Sequence, residues 1–191
     1  MDLQYITFGE VTRDMARDII HTVDSVCFPV PRMTAAREME LFQANEKTMC
    51  ICCVDGKPVG YIHIFPLAPA ALEGLKNGWL QESGLTACHV APFVPGRRCT
   101  YLIDALAVLP VPRSVEIQFR LISEATVFIL SMEKEGIAFD EILAFPVNEK
   151  IVRLLRRKGW SQVQSEGAAS HLYSFPREEI LRFAQQRVGD I

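Results

Sequence analysis

The chain has 191 residues, of which 49% are hydrophobic and 23% charged, so it can bury a core of its own and we expect one domain over residues 1–191. Its net charge of −3 argues against a general attraction to nucleic acid or to anionic lipid. No apolar run reaches the roughly 20 residues of a membrane helix, and the N-terminus lacks the basic start and apolar core of a signal peptide. We therefore expect a cytoplasmic protein that has no nucleic-acid or membrane partner.

The first part of the chain predicts a strand, two helices and a hairpin. The strand covers Leu3–Phe8, a first amphipathic helix ends before Pro29, and a second helix runs from its cap at Thr34 to about Ala44. Asp55-Gly56 is a dipeptide that favours a tight turn, and it joins β-rich runs at 48–54 and 58–65. This pattern predicts an antiparallel hairpin.

A proline-rich insertion covers residues 66–98 and is too long for an ordinary loop in a compact domain. Insertions of this length are often lids or binding loops, and the role of this one is left open. Residues 70–76 favour a short helix within it. The following strand, Cys99–Val108, is dense in apolar residues and has one charge, Asp104, which favours a strand covered on both faces.

The last part predicts helices that alternate with strands. A helix from Ser114 to Gly136 has an apolar stripe made of Ile117, Leu121, Ile122, Ala125, Ile129 and Met132. The remaining predicted elements are a strand at Phe139–Phe145, a helix between Asn148 and Gly159, closing strands at 160–163 and 172–175, and a last helix from Pro176.

The six cysteines argue against a metal site. No two pairs have the spacing of zinc ligands, and three of the cysteines lie within the apolar run 50–53. We interpret the cysteines as small buried thiols and expect no bound metal. The one cluster that merits a metal assay consists of Cys88, His89 and Cys99.

The order of elements and three motifs resemble the GNAT superfamily of acyl-CoA-dependent N-acyltransferases. The motifs are the Asp55–Ile62 hairpin, the Ile103–Pro110 strand end and the Asn148–Trp160 helix. The resemblance covers nearly the whole chain except the insertion. It implies an α/β (α+β) fold with a mixed, mostly antiparallel twisted sheet of about six to seven strands flanked by helices. In this family the sheet is splayed between its fourth and fifth strands, where the pantetheine arm of the acyl donor lies.

The resemblance also implies a binding site for acetyl-CoA or another acyl-CoA. Backbone groups of Leu106, Ala107 and Val108 would pair with pantetheine, and the amide of Val108 could hold the thioester oxygen. The pyrophosphate would lie on the loop and first helical turn formed by Arg113, Ser114, Val115, Glu116, Ile117 and Gln118. Asn148 is expected either to contact the CoA arm or simply to cap its helix.

The phosphate loop and one catalytic position depart from the family pattern. A strand that runs into a helix N-terminus is a ready anion site, and the family pattern there is Arg/Gln-x-x-Gly-x-Gly/Ala. Arg113 matches its first position, but Glu116 and Gln118 replace the two small residues. Glu116 also complements the helix dipole, so the chain can supply its own anion there. Many relatives place a tyrosine that protonates the leaving thiolate where this chain has Leu155.

Several side chains are candidates for proton transfer. Asp104 is the lone charge on its strand and could accept a proton from an amine, although it could equally be a paired structural residue. His63 and His89 are alternative bases, and Tyr101 and Tyr173 are alternative proton donors.

Two hypotheses follow from the sequence. In the first, the protein moves an acetyl or other acyl group to a small-molecule or peptide amine by direct attack, with Asp104 as base and acyl-CoA or an acyl-carrier protein as donor. In the second, it is a catalytically inactive GNAT-like binding or regulatory module that has lost ordinary CoA binding. The oligomeric state is open, and a homodimer is one alternative.

Overall fold

The computed structural model describes residues 2–28, 33–163 and 171–188. Its strands are β1 (Leu3–Ile6), β2 (Met49–Val54), β3 (Lys57–Pro66), β4 (Arg98–Val108), β5 (Ala138–Ala144), β6 (Ser161–Gln162) and β7 (Tyr173–Pro176). Its α-helices are α1 (Arg13–Ile19), α2 (Ser25–Cys27), α3 (Ala35–Ala44), α4 (Pro69–Asn77), α5 (Ser114–Lys134), α6 (Glu149–Arg157) and α7 (Arg177–Val188). A π-helical turn, Ile20–Asp24, joins α1 to α2, and 3₁₀ turns cover Glu82–Gly84 and Ala87–His89.

The seven strands form one sheet in the order β1-β2-β3-β4-β5-β7-β6. Every neighbouring pair is antiparallel except β4 and β5, which are parallel. The parallel pair needs a crossover, and α5 supplies it. The predicted class, a mixed and mostly antiparallel sheet flanked by helices, is confirmed.

The predicted hairpin turn is present at Asp55-Gly56. Both residues have positive φ, 49° and 77°, which aspartate and glycine tolerate better than other residues. Predicted caps are also present, because the hydroxyl of Thr34 accepts from Arg37 N at 3.3 Å and Asn148 Oδ1 accepts from Ile151 N at 3.0 Å.

The sheet opens between β4 and β5. Their pairing runs from Arg98 with Ala138 to Ile103 with Ala144, after which β4 continues to Val108 beside β3 alone. The register between β3 and β4 shifts at the same point, because His63 pairs with Ala105 while Ile64 pairs with Ile103. Asp104 is therefore the extra residue of a β-bulge, which bends the strand at the start of the gap.

Helix α5 covers one face of the sheet and buries most of its predicted stripe. Ile117, Leu121 and Ile129 are fully buried, in a cluster that also holds Cys50 and Ile62. Ile122 is an exception to the predicted stripe, because it is 36% exposed. It lies on the flank of α5 and lines the cavity described below.

Helix α4 of the insertion covers part of the other face of the sheet. The predicted short helix is present as α4, whose Ala71 and Leu75 pack in a cluster with Leu102 of β4 and Leu143 of β5. None of residues 66–98 is among the residues that line the cavity described below. Helix α4 therefore adds buried side chains to the hydrophobic core on that face, where β4 and β5 are paired.

All six cysteines are free thiols. Those at 50, 52 and 53 are buried, as predicted, whereas Cys88 is exposed and Cys27 and Cys99 are half-buried. Within residues 2–28, 33–163 and 171–188, no group of three or more His, Cys, Asp or Glu side chains could hold a metal ion. In the same ranges, no helix is both long and apolar enough to cross a membrane.

Candidate functional site

A cavity of about 340 Å³ occupies the gap between β4 and β5 and the space between α5 and α6. The sheet contributes Ile62, Ile64, Ile103, Asp104, Ala105, Leu106, Ile142 and Ala144 to its lining. Phe28, at the end of α2, also lines it and packs with the helices on the opposite face of the sheet. The cavity is therefore reached by residues from both faces of the sheet.

The two helical walls are apolar because of their residue spacing. On α5, Phe119, Ile122 and Thr126 recur at intervals of three and four residues and form a second stripe beside the buried one. Along α6 and its C-cap, Ile151, Leu154, Leu155 and Lys158 follow the same spacing. Phe119 is 50% and Leu154 45% exposed, so apolar side chains line the cavity at its opening as well as inside.

Beyond Ile103, the outer edge of β4 has backbone groups without a strand partner. Leu109 N donates to Val59 O of β3 at 2.8 Å, so the antiparallel alternation directs the amides of Val108 and Leu106 to the other edge. These N–H groups point into the gap. Backbone donors that face a cavity in this way can stabilise a developing negative charge on a substrate oxygen.

Cys27 lies near one of these two donors, the backbone amide of Val108. The backbone N–H of Val108 donates toward the Cys27 thiol, which opposes the effect of burial and of Asp24 in raising the pKa of that thiol. The amide proposed from the sequence as the oxyanion donor therefore lies near the Cys27 thiol as well as at the gap. Leu106 lines the cavity, and its amide is the better candidate.

The bulge joins two residues that the sequence analysis treated as separate candidates. Asp104 Oδ2 lies 3.2 Å from His63 Nδ1, and His63 Nε2 lies 3.1 Å from the hydroxyl of Thr48, whose own proton goes to Asn45 O at 2.6 Å. Both side chains are buried, with exposures of 1% for His63 and 0% for Asp104. Asp104 also lines the cavity, so the chain of polar groups ends at the gap.

A second buried polar cluster on the same face was missed by the sequence analysis. The hydroxyl of Tyr61 donates to Asp24 Oδ1 at 2.5 Å and lies 3.4 Å from Glu38 Oε2. Burial, together with the charges of Glu38 and Asp24, raises the pKa of Tyr61 well above its ordinary value. The available signal was Glu38, a charge one position before Met39 on the inner face of α3.

The loop before α5 holds an internal ion pair. Arg113 has a left-handed backbone, with φ of 66°, and its Nε donates to Glu116 Oε2 at 2.6 Å, while Nη2 bonds the other carboxylate oxygen. Both side chains are about half exposed. The hydrogen bond from Arg113 lowers the pKa of the Glu116 carboxyl, so the carboxylate stays ionised. This carboxylate binds the arginine that the family pattern would place against a phosphate.

The remaining sequence candidates are only partly brought to the cavity. Asn148 is engaged as a cap, which is one of its two expected roles, and Leu155 lines the cavity where relatives carry a tyrosine. Tyr101 and Tyr173 are buried and do not line the cavity. His89 Nδ1 accepts from Thr86 N at 2.9 Å within the insertion, away from the gap.

By sequence, the chain matches no protein-family profile and no curated protein. By structure, it is similar to the loading GNATL domain of CurA from Lyngbya majuscula, with a TM-score of 0.63, 12% identity, and coverage of 95% of this chain and 100% of that one. A mutant AtaT toxin bound to the C-terminus of its antitoxin AtaR and acetyl-CoA gives a TM-score of 0.59 at 14% identity over 96% and 99% of the two chains.

A GNAT family acetyltransferase from Brucella melitensis in complex with acetyl-CoA gives a TM-score of 0.51 at 15% identity, over 92% of this chain and 88% of that one. These similarities, together with the sheet order and the open β4–β5 edge, establish that the chain has the GNAT fold. The fold that the motifs implied is confirmed.

Proposed function

We propose that this GNAT-fold protein transfers an acyl group from a pantetheine thioester to an amine by direct attack. The observation that carries the proposal is the cavity that fills the β4–β5 gap, where the Leu106 amide and the Asp104 side chain lie close along one strand. A backbone donor and a carboxylate at one opening are the two groups that aminolysis of a thioester requires.

In the proposed reaction the thioester carbonyl lies in the gap with its oxygen toward the Leu106 amide. The amine approaches from the face of α1–α3, where Phe28 and Asp104 line the cavity. Its nitrogen attacks the carbonyl carbon, the carbon–sulfur bond breaks, and the thiolate leaves with the bond's electron pair. Asp104, held by His63, accepts the proton that the amine loses.

The chain offers no tyrosine at the leaving group, since Leu155 occupies that position on the cavity wall. A thiol has a pKa near 8.5, so a thiolate is a far better leaving group than an amide nitrogen and can depart before water protonates it. Positioning and backbone electrostatics then account for the rate.

The donor is acetyl-CoA, another acyl-CoA or a thioester on an acyl-carrier protein, and the acceptor is a small-molecule or peptide amine. The pantetheine arm suits the gap, but the Arg113–Glu116 ion pair disfavours a pyrophosphate on the loop because the carboxylate repels it and satisfies the arginine. A carrier-borne arm avoids this contact altogether.

Replacement of Leu106 tests the proposed oxyanion donor. Leu106→Pro removes the N–H that points into the gap, while the β3–β4 ladder does not use that group. We expect the rate of amine-dependent thiol release to fall by about 100- to 1,000-fold. Leu106→Ala, which keeps the amide, is the matched control, and circular dichroism verifies folding. Equal rates for the two variants would contradict the assignment.

A second candidate function is a non-catalytic GNAT-like module that binds a ligand or a protein through the cleft. Two features favour this module: Arg113 is paired with Glu116 and not free for a phosphate, and Leu155 cannot donate a proton to a leaving thiolate. Calorimetry with acetyl-CoA and acetyl-pantetheine separates the two functions when combined with thiol release. Binding of a thioester without any turnover, over a panel of primary amines, would favour the module.

A further inference from the structure

We infer that Thr48, a residue that does not line the cavity, holds His63 as an imidazolium cation, so that the proposed base Asp104 is one half of a charged pair. Thr48 is fully buried, and its hydroxyl oxygen lies 3.1 Å from His63 Nε2. Thr48 is thus a positioning residue, which acts on the reacting groups through His63. Its part in catalysis rests on the proposed function, whereas the protonation of the ring does not.

The hydroxyl of Thr48 can only accept a hydrogen bond from His63. A hydroxyl has one proton, and that of Thr48 is donated to Asn45 O at 2.6 Å, since a carbonyl oxygen has no proton to give. The ring nitrogen that lies 3.1 Å from the same oxygen must therefore bring a proton of its own. Nε2 of His63 is accordingly an N–H donor.

A neutral ring cannot satisfy both contacts of His63. Neutral imidazole has a proton on one nitrogen only, and that proton is on Nε2. Nδ1 would then direct a lone pair at Asp104 Oδ2, which lies 3.2 Å away and, in a carboxylate, is also an acceptor. Two acceptors that face each other in a buried site each lack a hydrogen bond. A proton on Nδ1 removes the conflict, and the ring then donates from both nitrogens.

The end of α3 favours a positive charge on the ring over a proton on the carboxyl group. Asn45 is the C-cap of α3, so the carbonyl end of this helix, which has a partial negative charge, lies beside Thr48. Phe42, in the last turn of α3, has its ring centroid 6.4 Å from that of His63. The helix terminus therefore stabilises a cation at His63.

Two further carboxyl groups add negative potential on the same face of the sheet. Tyr61 and His63 are two positions apart on β3, so their side chains lie on one face. The Tyr61 hydroxyl donates to Asp24 and lies 3.4 Å from Glu38 Oε2. Burial, and then the charges of Glu38, Asp24 and Asp104, raise the pKa of that hydroxyl, so all three acids act on one region. Such acidic surroundings offset the cost of burying a cation.

The charged pair defines the state in which Asp104 meets the amine. Beside an imidazolium, the carboxylate stays ionised at the cavity, while the pair as a whole is neutral. It can then take the proton that the amine loses. The row of hydrogen bonds does not pass this proton on, because Asn45 O accepts from Thr48 and has no proton to release. Thr48 thereby fixes a proton on His63 and is not a relay.

Nitrogen NMR of the unmodified protein tests the inference. Protein labelled with ¹⁵N-histidine should show, at neutral pH, protons on both ring nitrogens of His63. The chain has three other histidines, and the variants His21→Gln, His89→Gln and His171→Gln assign the signals of His63 by elimination. A His63 ring with a proton on one nitrogen only would overturn the inference.

Thr48→Val and Thr48→Ser form a matched pair of variants. Valine is similar in shape to threonine but has no hydroxyl, so the charged N–H at Nε2 would lack an acceptor in a buried site. We expect loss of the Nε2 proton signal in Thr48→Val and protons on both nitrogens in Thr48→Ser. Two protonated nitrogens in Thr48→Val would contradict the role of Thr48. If Thr48→Val does not fold, the spectrum of the unmodified protein decides alone.

The same variants give the effect on the reaction. Under the proposed function, we expect amine-dependent thiol release to fall about tenfold or more in Thr48→Val, because a carboxylate that no cation balances takes up a proton more readily. Thr48→Ser should restore the rate. Equal rates in the two variants, with the Nε2 proton lost in Thr48→Val alone, would show that the charge of His63 does not matter for the reaction and contradict the role of Thr48.

The outcomes also separate this inference from the proposed function. Two protonated ring nitrogens without any thiol release, over a panel of primary amines, would support the imidazolium and refute the acyltransferase. Thiol release by a protein whose His63 has one ring proton would refute the imidazolium and leave the acyltransferase intact.

Discussion

Two polar pairs lie at different depths of the β4–β5 cavity, one at its opening and one at its floor. At the opening, Arg113 and Glu116 form an ion pair with both partners about half exposed. At the floor, His63 and Asp104 form a pair that is almost completely buried. An exposed pair contributes little to stability and is screened by salt, whereas loss of one partner from a buried pair is costly. The opening can therefore change without loss of the fold, and the floor cannot.

The same comparison indicates how the cleft recognises a ligand. Glu116 saturates the one arginine that the loop offers, so phosphate groups gain little there. The floor offers backbone donors and apolar walls, which suit the pantetheine thioester of the proposed function. We therefore expect the acyl donor to be bound by groups inside the cavity and not by the loop before α5.

The largest effect is expected from removal of the buried carboxylate. Asp104→Ala leaves His63 with no acceptor at its Nδ1 in a buried site, so we expect the free energy of unfolding to fall by about 3–5 kcal/mol. Asp104→Asn keeps an acceptor of nearly the same shape and should lose less than half as much. Urea denaturation measures both, and equal losses would show that the hydrogen bond to His63 is unimportant.

Alkaline pH should lower the free energy of unfolding, because a buried thiol must stay protonated in the folded protein. Burial raises the pKa of the Cys50 thiol from 9.0 to about 12. The unfolded chain loses this proton first, so the stabilisation is complete below about pH 9 and is lost as pH rises toward 12, an effect of about 2–4 kcal/mol. Denaturation between pH 8 and 11 measures the slope. Cys50→Ala should flatten it and the exposed Cys88→Ala should not; the same slope in all three proteins would rule out Cys50 as the source.

The smallest effect on stability is expected at the opening. Glu116→Gly with Gln118→Gly removes an exposed ion pair, and Tm should change by no more than a few degrees, largely from the helix propensity of glycine. Affinity for CoA should nevertheless rise, because the carboxylate is gone and Arg113 is released. Arg113→Ala in the same background is the control. Failure of the double variant to gain CoA binding would show that the ion pair is not what disfavours the pyrophosphate.

The sequence predicted the fold well because its signals are local. The Asp55-Gly56 turn, the caps at Thr34 and Asn148 and the stripe of α5 each depend on residues within a few positions. The site was less predictable. The contact between His63 and Asp104 depends on a register shift between two strands, and the spacing between α5 and α6 depends on long-range packing.

Two features were not predictable from sequence for the same reason. Ile122 fits the periodicity of the buried stripe, yet it is 36% exposed and lines the cavity between α5 and α6. The insertion has the composition of a binding loop, but Ala71 and Leu75 give its helix an apolar face that packs on the sheet. For Ile122 and for helix α4, burial depends on which other element packs against them, and the sequence of one segment does not contain that information.

The central claim is that the floor of the cleft, and not its opening, binds the acyl donor. Comparison of acetyl-CoA with acetyl-pantetheine by calorimetry at low salt tests it most directly, because the two ligands share the acyl thioester and the pantetheine arm and differ only in the phosphorylated nucleotide. We expect their dissociation constants to agree within about threefold, since the Arg113–Glu116 pair leaves little for the phosphates to gain. Binding of acetyl-CoA that is tighter than that of acetyl-pantetheine by about 100-fold or more would contradict the account.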